Sequence, residues 1–196
     1  MSVDIFWIPC DTPGRIGIAT RPRGGDWLKD DIESLHNTGT DLLVSMLTPE
    51  ESRELELDME EKLCQAEGID YQLVPIPDRG VPSNMKNFTE LARQWVKLLE
   101  NGKNIIFHCR QGIGRSSMMA ALVLVTLGIE IDSAFQIIEK ARKRPVPDTI
   151  EQRTWVEQYA TGLQIAGSLR VAEKAEKYKT TAGFGHNANA DNIVKR

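Results

Sequence analysis

From Ser116 to Leu127 the chain is apolar on almost every side of a helix, and such a helix persists in water only when other elements enclose it. The apolar run Met118 to Leu127 falls well short of the roughly 20 residues a bilayer demands, so it belongs to a protein core and not to a membrane. A buried strand, Asn104 to His108, precedes it, and residues 110–115 join the two as a glycine-containing loop. Strand, tight loop and enclosed helix require a layered α/β domain around them.

The flanking segments supply those layers. Asp4–Ile8 and Arg15–Ala19 are expected as strands joined through Thr12-Pro13-Gly14, and Trp27 to His36 as a helix burying Leu28, Ile32 and Leu35. Leu42–Leu47 and Tyr71–Ile76 are further strands, and Met85 to Leu99 is a helix closed by Asn101-Gly102. Thr48-Pro49-Glu50-Glu51 combines an N-cap, proline at the first helical position and a capping-box glutamate. One helix is therefore expected from there to Gly68. Leu55, Met59 and Leu63 would be its buried stripe, with a solvated acidic face of Glu50, Glu51, Glu54, Glu56, Asp58, Glu60 and Glu61. Asp132/Ser133 to Arg144 and a helix capped by Asp148/Thr149 and reaching about Gly167 complete a fold with a mainly parallel central sheet.

With 196 residues, 41% of them hydrophobic, the chain can bury one sizeable core. Residues 1–167 are read as that domain and 168–196 as a helical extension followed by a polar, mobile tail. A formal charge of −4 gives no general attraction for nucleic acid, so affinity for a phosphorylated ligand must come from a local cluster. The three cysteines, Cys10, Cys64 and Cys109, match neither a disulfide set nor a metal-ligand spacing, and no basic n-region opens the sequence. A soluble cytoplasmic monomer without metal or cofactor is the expectation.

The chemistry concentrates in His108-Cys109-Arg110-Gln111-Gly112-Ile113-Gly114-Arg115-Ser116. A loop between a buried strand and a helix N-terminus turns successive backbone N–H groups, and the positive end of the helix, toward one concavity that suits a phosphate. The same field favours the thiolate form of a cysteine placed there. Arg115, six residues after Cys109, offers a planar fork for two phosphoryl oxygens. Gln152 shares a helical stripe with Trp155, Val156 and Tyr159, so it is expected to point inward and to need partners.

His-Cys-x₅-Arg-Ser resembles the signature of protein tyrosine and dual-specificity phosphatases. Across residues 13–167 the chain is most similar to the small atypical dual-specificity enzymes and to kinase-associated phosphatase. The resemblance implies a phosphocysteine intermediate on Cys109 and a phosphate site formed by Arg110, Gln111, Gly112, Ile113, Gly114 and Arg115. It also implies a Ser116 hydroxyl that eases departure of the sulfur, and a His108 that orients the loop. Asp78, 31 residues before Cys109 in a breaker-rich loop, sits like the general acid of dual-specificity enzymes. Gln152 corresponds to the glutamine that positions the hydrolytic water in several relatives. The long recognition insertions of the large tyrosine-specific enzymes have no counterpart.

The substrate expected is a phosphorylated protein or peptide carrying phosphotyrosine, with phosphoserine or phosphothreonine as further candidates. A phosphoinositide is the rival substrate, although the loop carries Gln111 and Ile113 where lipid-directed relatives often carry lysines. A phosphate-binding module without turnover and a thiol redox or sulfur-transfer enzyme are the rivals of other classes. Asp78 speaks against both. Arg79 and Arg110 are expected to enlarge the positive field at the mouth, and Cys10 and Cys64 to be small buried hydrophobes.

Overall fold

The computed structural model describes residues 3–165. The chain divides into two compact units, residues 1–160 and 161–196. In the second, the described residues 161–165 are helical; the tail expected over 168–196 lies outside the described residues.

Five short strands form the centre of the first unit: β1 (Ile5–Ile8), β2 (Ile16–Ala19), β3 (Leu42–Ser45), β4 (Asp70–Leu73) and β5 (Ile105–His108). Their order is β1-β2-β5-β3-β4. The expected hairpin is present as an antiparallel β1–β2 pair, and the remaining pairings are parallel, which gives the mainly parallel sheet. β5 lies in the middle, buried along its whole length, so the residues that follow it emerge at the centre of one sheet edge.

Side chains alternate across each strand, and the two faces acquire different covers. On one face Ile106 joins Leu43, Leu28, Ile32, Leu35 and Cys64, under α1 (Leu28–Asn37) and α3 (Glu60–Ala66). On the other, Phe107 meets Trp95 of α4 (Met85–Glu100) edge-on at 5.0 Å. α5 (Arg115–Thr126), buried from Arg115 to Val125, packs on β2 and β5 between α4 and α6 (Ile131–Arg142). The all-round apolar sequence is satisfied by neighbours on every side. The chain is helical again from residue 150, where Trp155 meets Phe88 at 5.7 Å and the Tyr159 hydroxyl pairs with Thr126 Oγ1 at 2.7 Å. No helix among the described residues is long and apolar enough to cross a membrane.

The acidic stretch departs from expectation. Instead of one helix to Gly68 there are two, α2 (Pro49–Glu54) and α3, separated by a reversal at Glu56, whose φ of 56° lies in the left-handed region. Leu57 is buried and Met59 is 49% exposed, so the predicted stripe is replaced: breaking the helix brings a leucine inward where continuation would have buried the methionine. The acidic face is not uniformly solvated either, because Glu51 and Glu60 are buried. The capping box itself forms as expected: the Glu51 amide donates to Thr48 Oγ1, and the Thr48 amide donates to Glu51 Oε2 at 3.0 Å.

The reversal is held by a close backbone approach, with the Gly25 amide donating to the Glu56 carbonyl at 3.1 Å. A Cβ on Gly24 would lie 1.9 Å from the Leu55 carbonyl oxygen. Gly24→Ala must therefore displace the turn that aims Glu51 and Glu60 inward. Its melting temperature should fall by about 4 °C or more, read by circular dichroism; an unchanged melt would show that the turn does not depend on this contact.

Candidate active site

Cys109 follows directly on β5, and residues 110–114 carry the chain round into α5, whose first residue is Arg115. Cys109 is 3% exposed, and its Sγ lies 3.3 Å from Ser116 Oγ. Above it opens a cavity of about 180 Å³ lined by Asp78, Arg79, Cys109, Arg110, Gln111, Ile113, Gly114, Arg115, Asp148 and Gln152. The loop, the separate Asp78 segment and Gln152 of the last helix thus line one space.

Arg115 is held by the whole sheet edge. Glu51 takes both ends of its fork, Nη1 to Oε2 at 2.6 Å and Nη2 to Oε1 at 2.9 Å. Nη1 also donates to the carbonyls of Met46, just past β3, and of Ile76, past β4, at 3.2 and 2.9 Å. Nη2 donates to Asp78 Oδ1 at 3.0 Å. Burial opposes both charges; the Arg115 hydrogen bonds and charge nevertheless hold the Glu51 carboxyl below its usual range, and Glu51, with the charges of Cys109 and Asp78, raises Arg115. The guanidinium is therefore fixed in place, and its side toward Asp78 is the one facing the cavity.

Asp78 has a 59% exposed side chain in a loop whose turn is closed by the Gly80 amide donating to the Pro77 carbonyl at 2.9 Å. Gln152 is fully buried, as expected from its stripe. Its Nε2 donates to the Gly80 carbonyl at 3.1 Å, while Oε1 has no hydrogen-bond partner. A Cβ at Gly114 would lie 2.8 Å from Gln152 Oε1 and 2.9 Å from Asp148 Cβ, so glycine there lets the loop and the last helix touch. A buried acceptor without a donor, set against the loop, is suited to a water bound in the cavity.

His108 does not line the cavity. Its ring points to the opposite face of the sheet, the one Ile106 shares, with no exposure to solvent. Nε2 lies 3.2 Å from Oε1 of Glu60, and the Tyr71 hydroxyl donates to Glu60 Oε2 at 2.9 Å. Burial, reinforced by Glu60, pushes the Tyr71 hydroxyl upward. Cys64 beside them is pushed up to about 12, first by burial and then by Glu60 and Glu61, so it stays a thiol. Cys10, by contrast, is half-buried, with Sγ 3.1 Å from Thr12 Oγ1, because it sits in the polar β1–β2 turn and not in the core.

At the mouth, Arg79 pairs with Asp148 at 3.3 Å and Arg110 with Glu54 at 2.5 Å. Both arginines reach the cavity as expected, but each brings a carboxylate with it. Among the described residues no three His, Cys, Asp or Glu side chains converge to hold a metal ion. Sequence reasoning missed Glu51, Glu60 and Asp148. Of these, Glu51 carried a signal, as the capping-box residue of a helix starting at the edge where the loop also starts.

A family model described as "Tc-R-P: Polymorphic toxin system, DSP-PTPase phosphatase" matches residues 17–129, more than half of the chain. Rattus norvegicus cyclin-dependent kinase inhibitor 3 is 26% identical over 145 residues, 73% of this chain and 68% of that protein. Bos taurus protein tyrosine phosphatase type IVA 3 is 26% identical over 113 residues, 55% of this chain and 61% of that protein. Kinase-associated phosphatase, solved with its catalytic-site cysteine replaced by serine, superposes with a TM-score of 0.75 at 21% identity, covering 84% of this chain and 97% of that one. With Cys109 and Arg115 standing where the loop's chemistry needs them, the chain belongs to the DSP-PTPase phosphatase family, the cysteine-dependent dual-specificity protein phosphatases.

Proposed function

We propose that this chain hydrolyses phosphotyrosine, and secondarily phosphoserine and phosphothreonine, in phosphorylated proteins or peptides, acting as a cytoplasmic monomer through residues 1–167. The observation that carries this reading is the shared cavity of Cys109, Arg115, Asp78 and Gln152. A binding module has no use for a nucleophile and an exposed carboxyl side by side.

In the first step the phosphoryl group takes the place of Asp78 at Arg115 Nη2, and the amides of residues 110–115 receive its remaining oxygens. The Cys109 sulfur attacks phosphorus, forming the S–P bond as the P–O bond to the leaving group breaks. Asp78, released from the guanidinium, takes up a proton from solvent and gives it to the departing oxygen. In the second step water held at Gln152 attacks phosphorus, Asp78 takes its proton, and the S–P bond breaks. The returning negative charge on sulfur is met by the Ser116 hydroxyl. His108, buried beside Glu60 behind the strand, holds the start of the loop.

Purified protein should hydrolyse p-nitrophenyl phosphate in EDTA and be blocked by orthovanadate, while Cys109→Ser should lose turnover yet still bind inorganic phosphate. Robust turnover by the serine variant would remove the covalent mechanism. A panel of phosphotyrosine and phosphoserine peptides against phosphoinositide vesicles tests the substrate class; preference for the vesicles would overturn it.

Asp78→Asn should lower kcat about 10²–10⁴-fold for poor leaving groups such as phosphoserine, and much less for p-nitrophenyl phosphate. Equal losses across leaving groups would return Asp78 to a structural turn.

A further inference from the structure

Arg142 ends α6 with its side chain 5% exposed, and among the described residues no carboxylate lies within ion-pair distance of it. Its sequence setting reads as a cation complementing the helix C-terminus, which an exposed lysine would serve as well. Instead the guanidinium lies 3.7 Å over the ring of Phe6 on β1, and Nη2 donates to the Gln111 carbonyl at 3.1 Å. Nε and Nη1 are buried without a hydrogen-bond partner. Burial, and after it the like charge of Arg144, works against the ionised form, opposed by the charges of Cys109 and Asp4. A buried charge with so little compensation is a burden on the fold, and such burdens persist where function requires them.

Gln111 is the second residue of the phosphate loop. Its peptide is planar, so a carbonyl drawn toward Arg142 leaves the N–H of Gly112 pointing the opposite way. We propose that Arg142 is a positioning residue of the phosphate loop: it fixes the Gln111–Gly112 peptide with its N–H toward the cavity, and its uncompensated charge adds to the loop's affinity for a phosphate dianion. The proposal rests on the phosphatase reading of the site. Arg115 is already matched by Glu51 and Asp78, so the site's surplus positive charge comes from the arginine that no carboxylate pairs at ion-pair distance. Arg142 touches the loop from behind and takes no part in bond making.

The two roles for Arg142, positioning or mere packing, differ in what they do to stability. Replacing an unpaired buried charge by an apolar side chain of similar length is neutral or stabilising for the fold. Arg142→Met, Arg142→Gln and Arg142→Lys are compared with the wild type for orthovanadate inhibition, for KM and kcat on p-nitrophenyl phosphate, and for thermal melting. Arg142→Met should melt at or above the wild-type temperature while its vanadate affinity falls about tenfold or more and its KM rises. The ratio of kcat between p-nitrophenyl and phenyl phosphate should stay at the wild-type value, because Asp78 is untouched. Arg142→Lys, which keeps the charge and a donor, should recover more affinity than Arg142→Gln. Wild-type vanadate affinity in Arg142→Met overturns the proposal, as does a loss of affinity that follows loss of melting temperature across all three variants. A wild type that neither turns over p-nitrophenyl phosphate nor binds vanadate would instead overturn the phosphatase reading.

Discussion

The structure turns on one guanidinium. Arg115 is the first residue of the central helix, and its side chain gathers the carbonyls of Met46 and Ile76, both oxygens of Glu51, and Asp78. Those acceptors come from the ends of β3 and β4, from the first turn of α2, and from the loop of Asp78. One buried cation thus ties four chain segments to the edge of the sheet where β5 delivers Cys109. Burying it is tolerable because nearly every donor meets an oxygen; an arginine satisfied by half as many partners would weaken the fold. The same satisfaction makes the fork rigid, which is what an anion site needs if it is to lose little freedom on binding.

A second set of buried polar groups lies across the sheet. His108 belongs to the strand that leads into Cys109, but the alternation of β5 sends its ring away from the cavity, toward Glu60 and Tyr71. Histidine is therefore coupled to the site through the backbone of β5, not through contact with a substrate. The ring is enclosed between α3 and β4, with Nε2 3.2 Å from Glu60 Oε1, so the residue before Cys109 is buried on the face opposite the cavity.

Much of this was legible in the sequence. The pairing of β1 with β2 and the enclosed α5 follow from turn residues and hydrophobic period, while the gathering of Asp78 and Gln152 beside Cys109 and Arg115 was expected from the family resemblance. What failed shares one cause. Glu51 and Glu60 were read as part of a solvated face, and Arg142 as one of the cations in the last turn of its helix, because a local pattern sees only sequence neighbours. Their burial is decided by partners 64, 48 and 31 positions away. The two-helix break at Glu56 escaped for a similar reason: it depends on the backbone of Gly24 and Gly25, some thirty residues earlier, and on the choice of Leu57 over Met59 for the core.

The mouth of the cavity sets how a phosphate finds the site. Arg79 and Arg110 suggest a positive collar, but Asp148 and Glu54 accompany them, and these half-exposed pairs are screened by salt. A rim of matched charges exerts little pull at a distance, so the long-range steering expected from the two arginines is weak. Attraction must instead arise inside, where the loop amides, the α5 N-terminus and the guanidinium of Arg115 face an anion, with the charge of Arg142 behind the loop. A field confined to the interior distinguishes ligands by whether they reach it. On the function proposed, a phosphate borne on a side chain is the ligand that would do so, while an anion at the surface meets a nearly neutral rim. Selection by reach, not by collection of negative charge, is what this arrangement of arginines favours.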